Sequence, residues 1–279
     1  RRRGRRRLAA AGRGNGRLPW WLEAPALLVT YELYEVVRSQ VGGSPGQAAA
    51  HARQVVDAEQ ALGLFHEAAV QRAFLPHHLV IEAFDLYYGT VHFIVPVVAL
   101  VWLWRRWPGR YRRWRNTLVA MGLLALGGFA LYPLLPPRLL PSHFGFVDTA
   151  ATIGGEGVLD AGAARDVENL YAAMPSLHVG WSMWCALALF PTVSRRWLRA
   201  LVAAYPLVTL LAVVVTANHY VLDGVGGLVA LGAGYLLAAG WERARERGRG
   251  RRPAGNGDLP PPAASGGATL APSQARDGD

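Results

Sequence analysis

Six apolar stretches, roughly residues 20–38, 79–104, 117–136, 176–193, 199–218 and 220–240, recur along the chain with short arginine-rich blocks between them. A hydrocarbon core of about 30 Å is crossed by about 20 apolar residues in a helix, so each stretch meets or approaches the length of a membrane span. The expected fold is therefore all-α: an integral membrane bundle of about six transmembrane helices over residues 20–241. The flanking 1–19 and 242–279 are Arg-, Gly- and Pro-rich without apolar periodicity, and are expected to be disordered. The first stretch is the most polar. It carries Glu23, Glu32 and Glu35, of which the last two are i, i+3 neighbours expected to share a face turned to the protein interior.

No lysine occurs, and the net charge of +10 is carried by arginine. These arginines sit in short blocks between apolar runs, as in membrane proteins, which argues against a nucleic-acid partner. A single cysteine, Cys185, lies inside an apolar run, so neither a disulfide framework nor a Cys-based zinc site can be built. The basic start lacks a small-residue cleavage pattern after a short apolar core, and a removable signal peptide is not expected.

Arginine placement also orients the bundle. The connections 105–115 and 195–199 and both tails are Arg-rich, whereas 46–74, 137–175 and the turn near 218 are Arg-poor. By the positive-inside rule both termini are cytoplasmic, which an even number of spans also requires. Segment 46–74 reads as one or two amphipathic helices at the interface. Segment 137–175 is a long, Pro-bounded loop of the kind that usually carries function. In a multi-pass protein of the cell membrane, that loop, the start of the fourth stretch and the fifth-to-sixth junction all fall on the extracytoplasmic face.

Polar residues converge at that level. In "TANHYVLDGVGG", His219 and Asp223 are four residues apart, so the carboxylate can accept an imidazole N–H and leave the other ring nitrogen as a lone pair. In "NLYAAMPSLHVGWSMW", His178 opens the fourth stretch and Ser176 stands where it can cap that helix, whose N-terminus favours an anion. Arg138, in "YPLLPPRLLP", is placed to pair with phosphate oxygens, and Arg165 is the other arginine of the loop. Two imidazoles, a carboxylate and an arginine suffice for phosphoryl transfer by a nucleophile and a proton donor. Substrate-binding roles are expected for Arg138, Ser176 and Asn169, and for Asp85, Tyr88 and His92 in "AFDLYYGTVHFIVP" of the second stretch. The tryptophans at 102, 104, 107 and 114 are expected to anchor the interface.

"PSLH" at 175–178 and "HYVLD" at 219–223 resemble the second and third motifs of the type 2 phosphatidic acid phosphatase superfamily, a six-helix membrane fold. Within it, "YYGTVHFIVP", "AAMPSLHVGW" and "NHYVLD" are similar in order and spacing to the inositol phosphotransferase branch, to which fungal inositol phosphorylceramide synthase belongs. The resemblance implies that His219 is the nucleophile forming a phosphohistidine, that Asp223 orients it, that His178 protonates the leaving oxygen, and that no metal or other cofactor is needed. The chain departs from the superfamily pattern at three places: the first motif has no Lys, Val213 stands where an Arg is expected, and Leu177 fills a glycine slot.

The expected function is thus a membrane phosphotransferase acting on lipid-linked phosphate, a phospholipid or a polyprenyl phosphate. The branch resemblance implies transfer of inositol phosphate from phosphatidylinositol to an alcohol. With water as acceptor the same chemistry is a lipid phosphate phosphatase. A transporter with a His/Asp proton relay is the alternative of another class, although the broken or repeated helices usual in transporters are not found. Haem ligation by His178 and His219 fits less well with two histidines at a polar mouth beside an arginine.

Overall fold

A computed structural model describes residues 19–40, 43–153 and 171–250. Asn169, Arg165 and the tails expected to be disordered fall outside them, apart from Pro19 and the end of the last helix. Eight helices order the described chain: α1 Trp20–Gln40, α2 Pro45–Ala61, α3 Glu67–Phe74, α4 His78–Arg106, α5 Pro108–Leu131, α6 Thr149–Thr152, α7 Leu177–Leu189, α8 Arg196–Val215, with a ninth, α9, from Val221 to Gly250. No strand occurs among the described residues, only an isolated bridge between Leu134 and Ala172. The fold is all-helical. Contacts divide the chain into two compact units, 1–242 and 243–279, and every site residue below belongs to the first.

Four helices are long and apolar enough to cross a membrane: α4, α5, α8 and α9, the last over Val221–Arg247. Their outward faces carry bare Leu and Val, with Leu79, Leu131, Leu207 and Leu236 each at least 70% exposed. Such a surface belongs in lipid rather than water. The other two expected spans differ. Helix α1 has the length, but its acidic residues dilute its apolar character. Helix α7 has 13 residues, about 20 Å of rise, and its stretch ends in a 3-10 turn at Phe190–Thr192. It can be short because it is enclosed: it packs on α8, α4 and α5, and Val179, Gly180, Ser182, Trp184, Cys185 and Ala188 are buried along it.

Several local expectations change. The Arg block at 108–115 is the first two turns of α5, opened by Pro108 at a position where its missing N–H costs nothing. That helix ends at Leu131 rather than 136, where Tyr132 turns extended ahead of Pro133, Pro136 and Pro137. Glu32 is exposed, and Glu35 pairs with Arg38 at 2.8 Å on the same helix, so this face is not turned inward. Glu23 is the buried acid of α1, accepting from Tyr111 Oη at 2.9 Å and from Arg115. Trp114 is no interface anchor: it lies in the core, and its carbonyl accepts the Trp184 indole N–H at 2.8 Å.

Segment 46–74 forms two helices. Ser44 and Gln47 make a reciprocal capping box that starts α2. Ala48, Ala52, Val55, Val56 and Glu59 form its buried stripe at i, i+3/i+4 spacing. With Ala68 of α3, that stripe packs on Leu134, Phe146, Ala217 and Tyr220. These helices therefore cover the ends of α8 and α9 where the polar residues gather.

Candidate active site

Two chain reversals bring the polar starts of α7 and α9 together. After α8, Ala217 takes a φ of 51°, a left-handed conformation rare for a residue with a Cβ. Surrounding hydrogen bonds hold it there: its N–H donates to the Val214 carbonyl, and its own carbonyl accepts the Arg138 N–H at 2.9 Å. The Asn218 and His219 N–H groups both donate to the Val213 carbonyl, at 2.9 and 3.3 Å. This turn delivers His219 just ahead of α9.

His219 Nδ1 lies 3.3 Å from Asp223 Oδ2, which also accepts the Tyr220 N–H at 3.0 Å. Asp223 is fully buried and His219 nearly so. With Nδ1–H donating to the carboxylate, Nε2 keeps its lone pair, and a positive charge arising on the ring faces a buried negative one. The dyad read from the spacing is present.

Helix α7 meets α9 through backbone. The Ser176 N–H donates to the Asp223 carbonyl at 2.9 Å. A Cβ added to Gly227 would sit 2.2 Å from the Ser176 carbonyl oxygen, so this crossing requires glycine. The glycines after Asp223 thereby bring His178 to His219, with ring centroids 5.3 Å apart. Tyr88 of α4 stacks on His178 at 4.1 Å and 14°. His92, one turn on, has its ring centroid 3.9 Å from that of His178 and its Nδ1 2.9 Å from the Tyr88 carbonyl. Trp181 backs His92 at 5.5 Å. Asp85, Tyr88 and His92 share one face of α4 at i, i+3, i+7 spacing.

Ser176 occupies the N-cap of α7, but its hydroxyl makes no capping bond, contrary to expectation. The residue is wedged against Gly227 and fully buried. Its Oγ and His178 Nε2 are buried polar atoms with no hydrogen-bond partner among the described residues. Such atoms beside each other at a helix start suit an anionic ligand.

Arg138 stands in a 3-10 turn at Pro137–Leu139, and its backbone is tied to the turn before His219. Its guanidinium lies 3.6 Å from Asp148, which caps α6. The Thr149 hydroxyl donates to Asp85 Oδ1 at 3.0 Å. Asp85 thus belongs to a polar chain leading from Arg138 into α4 rather than to the histidine cluster itself. Among the described residues no group of three His, Cys, Asp or Glu side chains is arranged to hold a metal ion.

Sequence reasoning passed over two buried acids, Glu59 and Glu67, which accept backbone N–H groups of α9 beside the dyad. A signal existed for the first. Glu59 continues the i, i+3/i+4 register of Val55 and Val56, where an apolar residue is expected.

No curated protein and no solved structure matches the chain. A family model, that of the PAP2 superfamily, matches residues 53–237, which run from the middle of α2 into α9 and include His178, His219 and Asp223. The match spans about two thirds of the chain, so the protein belongs to the PAP2 superfamily and is an enzyme of the phosphatidic acid phosphatase type, a phosphatase or phosphotransferase.

Proposed function

We propose that the protein transfers phosphate-containing headgroups of membrane lipids through a covalent phosphohistidine. The observation that carries this reading is the His219–Asp223 dyad with His178 across from it, the two imidazole centroids 5.3 Å apart. In the first step the Nε2 lone pair of His219 attacks phosphorus, the P–O bond to the lipid alcohol breaks, and His178 gives its proton to the departing oxygen. The phosphorylated imidazole is cationic and is balanced by Asp223. In the second step an acceptor hydroxyl returns a proton to His178, its oxygen bonds to phosphorus, and the P–N bond breaks. Ser176, the open N-terminus of α7 and Arg138 receive the phosphate oxygens; Arg138 exchanges its contact with Asp148 for the ligand. The Asp85 chain completes the headgroup site.

Support for a lipid substrate comes from a 240 Å³ groove between α3 and α8, walled mainly by Leu64, Val70, Leu207, Leu210 and Val214, with His66 and Glu67 also in its lining. It is mostly apolar and reaches Val221, two residues from His219, which suits an acyl or prenyl chain. In this reading six helical segments lie in the cell membrane, both termini are cytoplasmic, and the site faces outward. The similarity of "YYGTVHFIVP", "AAMPSLHVGW" and "NHYVLD" to the inositol phosphotransferase branch supports phosphatidylinositol as donor and an alcohol as acceptor. With water as acceptor, phosphatidic acid or a polyprenyl phosphate is hydrolysed instead.

The test is to follow phosphorus-labelled donor lipids in vesicles holding the wild type, His219→Ala or His178→Ala. Label passing to an alcohol identifies a transferase, and label passing to water a phosphatase. Turnover surviving in His219→Ala sinks the mechanism.

A further inference from the structure

Three carboxylates take the three consecutive N–H groups of residues 220–222, where the chain enters α9. Asp223 Oδ2 accepts from Tyr220, Glu67 Oε1 from Val221 at 3.2 Å, and Glu59 Oε1 from Leu222 at 2.8 Å. Glu59 and Glu67 come from separate helices, α2 and α3, and are 0% and 2% exposed. No arginine or histidine among the described residues forms an ion pair with either. Their Oε2 atoms are buried and have no hydrogen-bond partner among the described residues, and their Oε1 atoms sit on adjacent N–H groups, so the two carboxyls stand side by side.

An ionised carboxylate only accepts, so two neighbouring buried carboxyls that no other donor and no cation serves can satisfy each other only if one carries a proton. The local electrostatics agree. A helix N-terminus offers about half a positive charge. One buried carboxylate is balanced there, whereas a second would stand uncompensated beside Asp223.

We propose that Glu59 and Glu67 form a carboxyl pair holding a single shared proton, which fastens the start of α9 to α2 and α3 and so positions the His219–Asp223 dyad against His178. Both are positioning residues, and their role in turnover rests on the function proposed above. The path is short. Val221 and Leu222, held by the pair, immediately precede Asp223, whose side chain orients His219 and whose carbonyl holds the Ser176 N–H. A slip at the pair moves the starts of both site helices.

The titratable groups facing the pair are Asp223 and Tyr220, with His219 behind Asp223. Burial, reinforced by the neighbouring Glu67 and partly offset by the Leu222 N–H, pushes the Glu59 carboxyl up from 4.5 to about 8. A carboxyl raised on folding binds its proton more tightly in the folded chain. The stability it supports is full below its ordinary value and is lost as pH rises through the raised one.

The experiment uses the full chain in detergent, with thermal unfolding midpoints from pH 5 to 9 for the wild type and Glu59→Gln. Glutamine donates to Glu67 through its amide and accepts from Leu222 without a titrating proton. The wild-type midpoint should fall several degrees more across this range than that of Glu59→Gln; parallel profiles would overturn the shared proton. In vesicles, Glu59→Ala should lose about 100-fold in kcat, with KM moving less than about 2-fold, because misplacement costs rate more than binding. Glu59→Gln should restore kcat and hold it above pH 8, where the wild type declines. Equal losses in the two variants overturn the positioning role. If no lipid donor reacts even with wild type, the proposed function fails, and the midpoint profiles still decide the pair.

Discussion

The two helix starts that meet at the site are built in opposite ways. The start of α9 is closed, the N–H groups of residues 220–222 taken by Asp223, Glu67 and Glu59. The start of α7 is open: no side chain caps it, and Ser176 Oγ and His178 Nε2 are buried without a hydrogen-bond partner among the described residues. Leaving buried polar groups unpaired costs about 1–3 kcal/mol each, a cost that a bound anion removes. The contrast separates two tasks. In the proposed mechanism, donors are used internally where the nucleophile is held and left over where the phosphate is received.

The largest effect is expected at the closed end, from the proposed nucleophile. His219→Ala should lower kcat by about 10⁴-fold or more, measured by lipid turnover in vesicles, with the fold kept by helical circular dichroism. Asp223→Asn should cost nearly as much, since it removes the charge that steadies the imidazolium. At the open end His178→Gln should cost about 10²–10⁴-fold, the usual worth of general acid catalysis. A donor with a more acidic leaving alcohol should recover most of that loss in His178→Gln but not in His219→Ala. This difference separates proton donor from nucleophile.

The joint between the ends comes next. Gly227→Ala places a methyl 2.2 Å from the Ser176 carbonyl oxygen, so α7 and α9 must part. Overpacking of this kind costs about 1–3 kcal/mol, and the unfolding midpoint should drop by several degrees while kcat falls with it. Gly232→Ala, on the same helix with nothing within 4 Å, is the control and should change neither.

A smaller effect sharpens the open end. Tyr88→Leu removes the ring stacked on His178 at 4.1 Å. Aromatic pairs are worth about 0.5–1.5 kcal/mol, so kcat/KM should fall about 2- to 10-fold. A loss as large as that of His178→Gln would mean that Tyr88 touches the reacting groups.

How much of this was legible in the sequence depends on the range of the interaction that places each residue. The spacing of His219 and Asp223 is local, and one helical turn suffices to pair them. Of the six spans expected from the apolar runs, four are helices of membrane length among the described residues, because length and hydropathy are properties of a single segment. Helix α7 has the composition of a lipid-facing span but only 13 residues; its neighbours enclose it, and enclosure is tertiary. Glu59 and Glu67 join three helices through bonds spanning more than 150 residues, which no window on the chain can show. Ser176 was placed correctly at a helix start, yet the bond assigned to its hydroxyl is absent, because the helix-crossing glycine fixes the surroundings of that residue. Arg138 was legible as one of two arginines in the loop after the third stretch. What the fold adds is its backbone tie to Ala217, which joins it to the turn before His219.

The most direct measurement is to trap the covalent species. Wild-type protein mixed with labelled donor lipid, quenched within milliseconds at alkaline pH where phosphohistidine survives, should yield a peptide phosphorylated at His219. The label should be lost under mild acid, be absent from His219→Ala, and persist in the wild type when acceptor is withheld. Rapid turnover with no phosphorylated peptide at any time, or with label on His178 instead, would contradict the assignment of nucleophile to the closed end and proton donor to the open one.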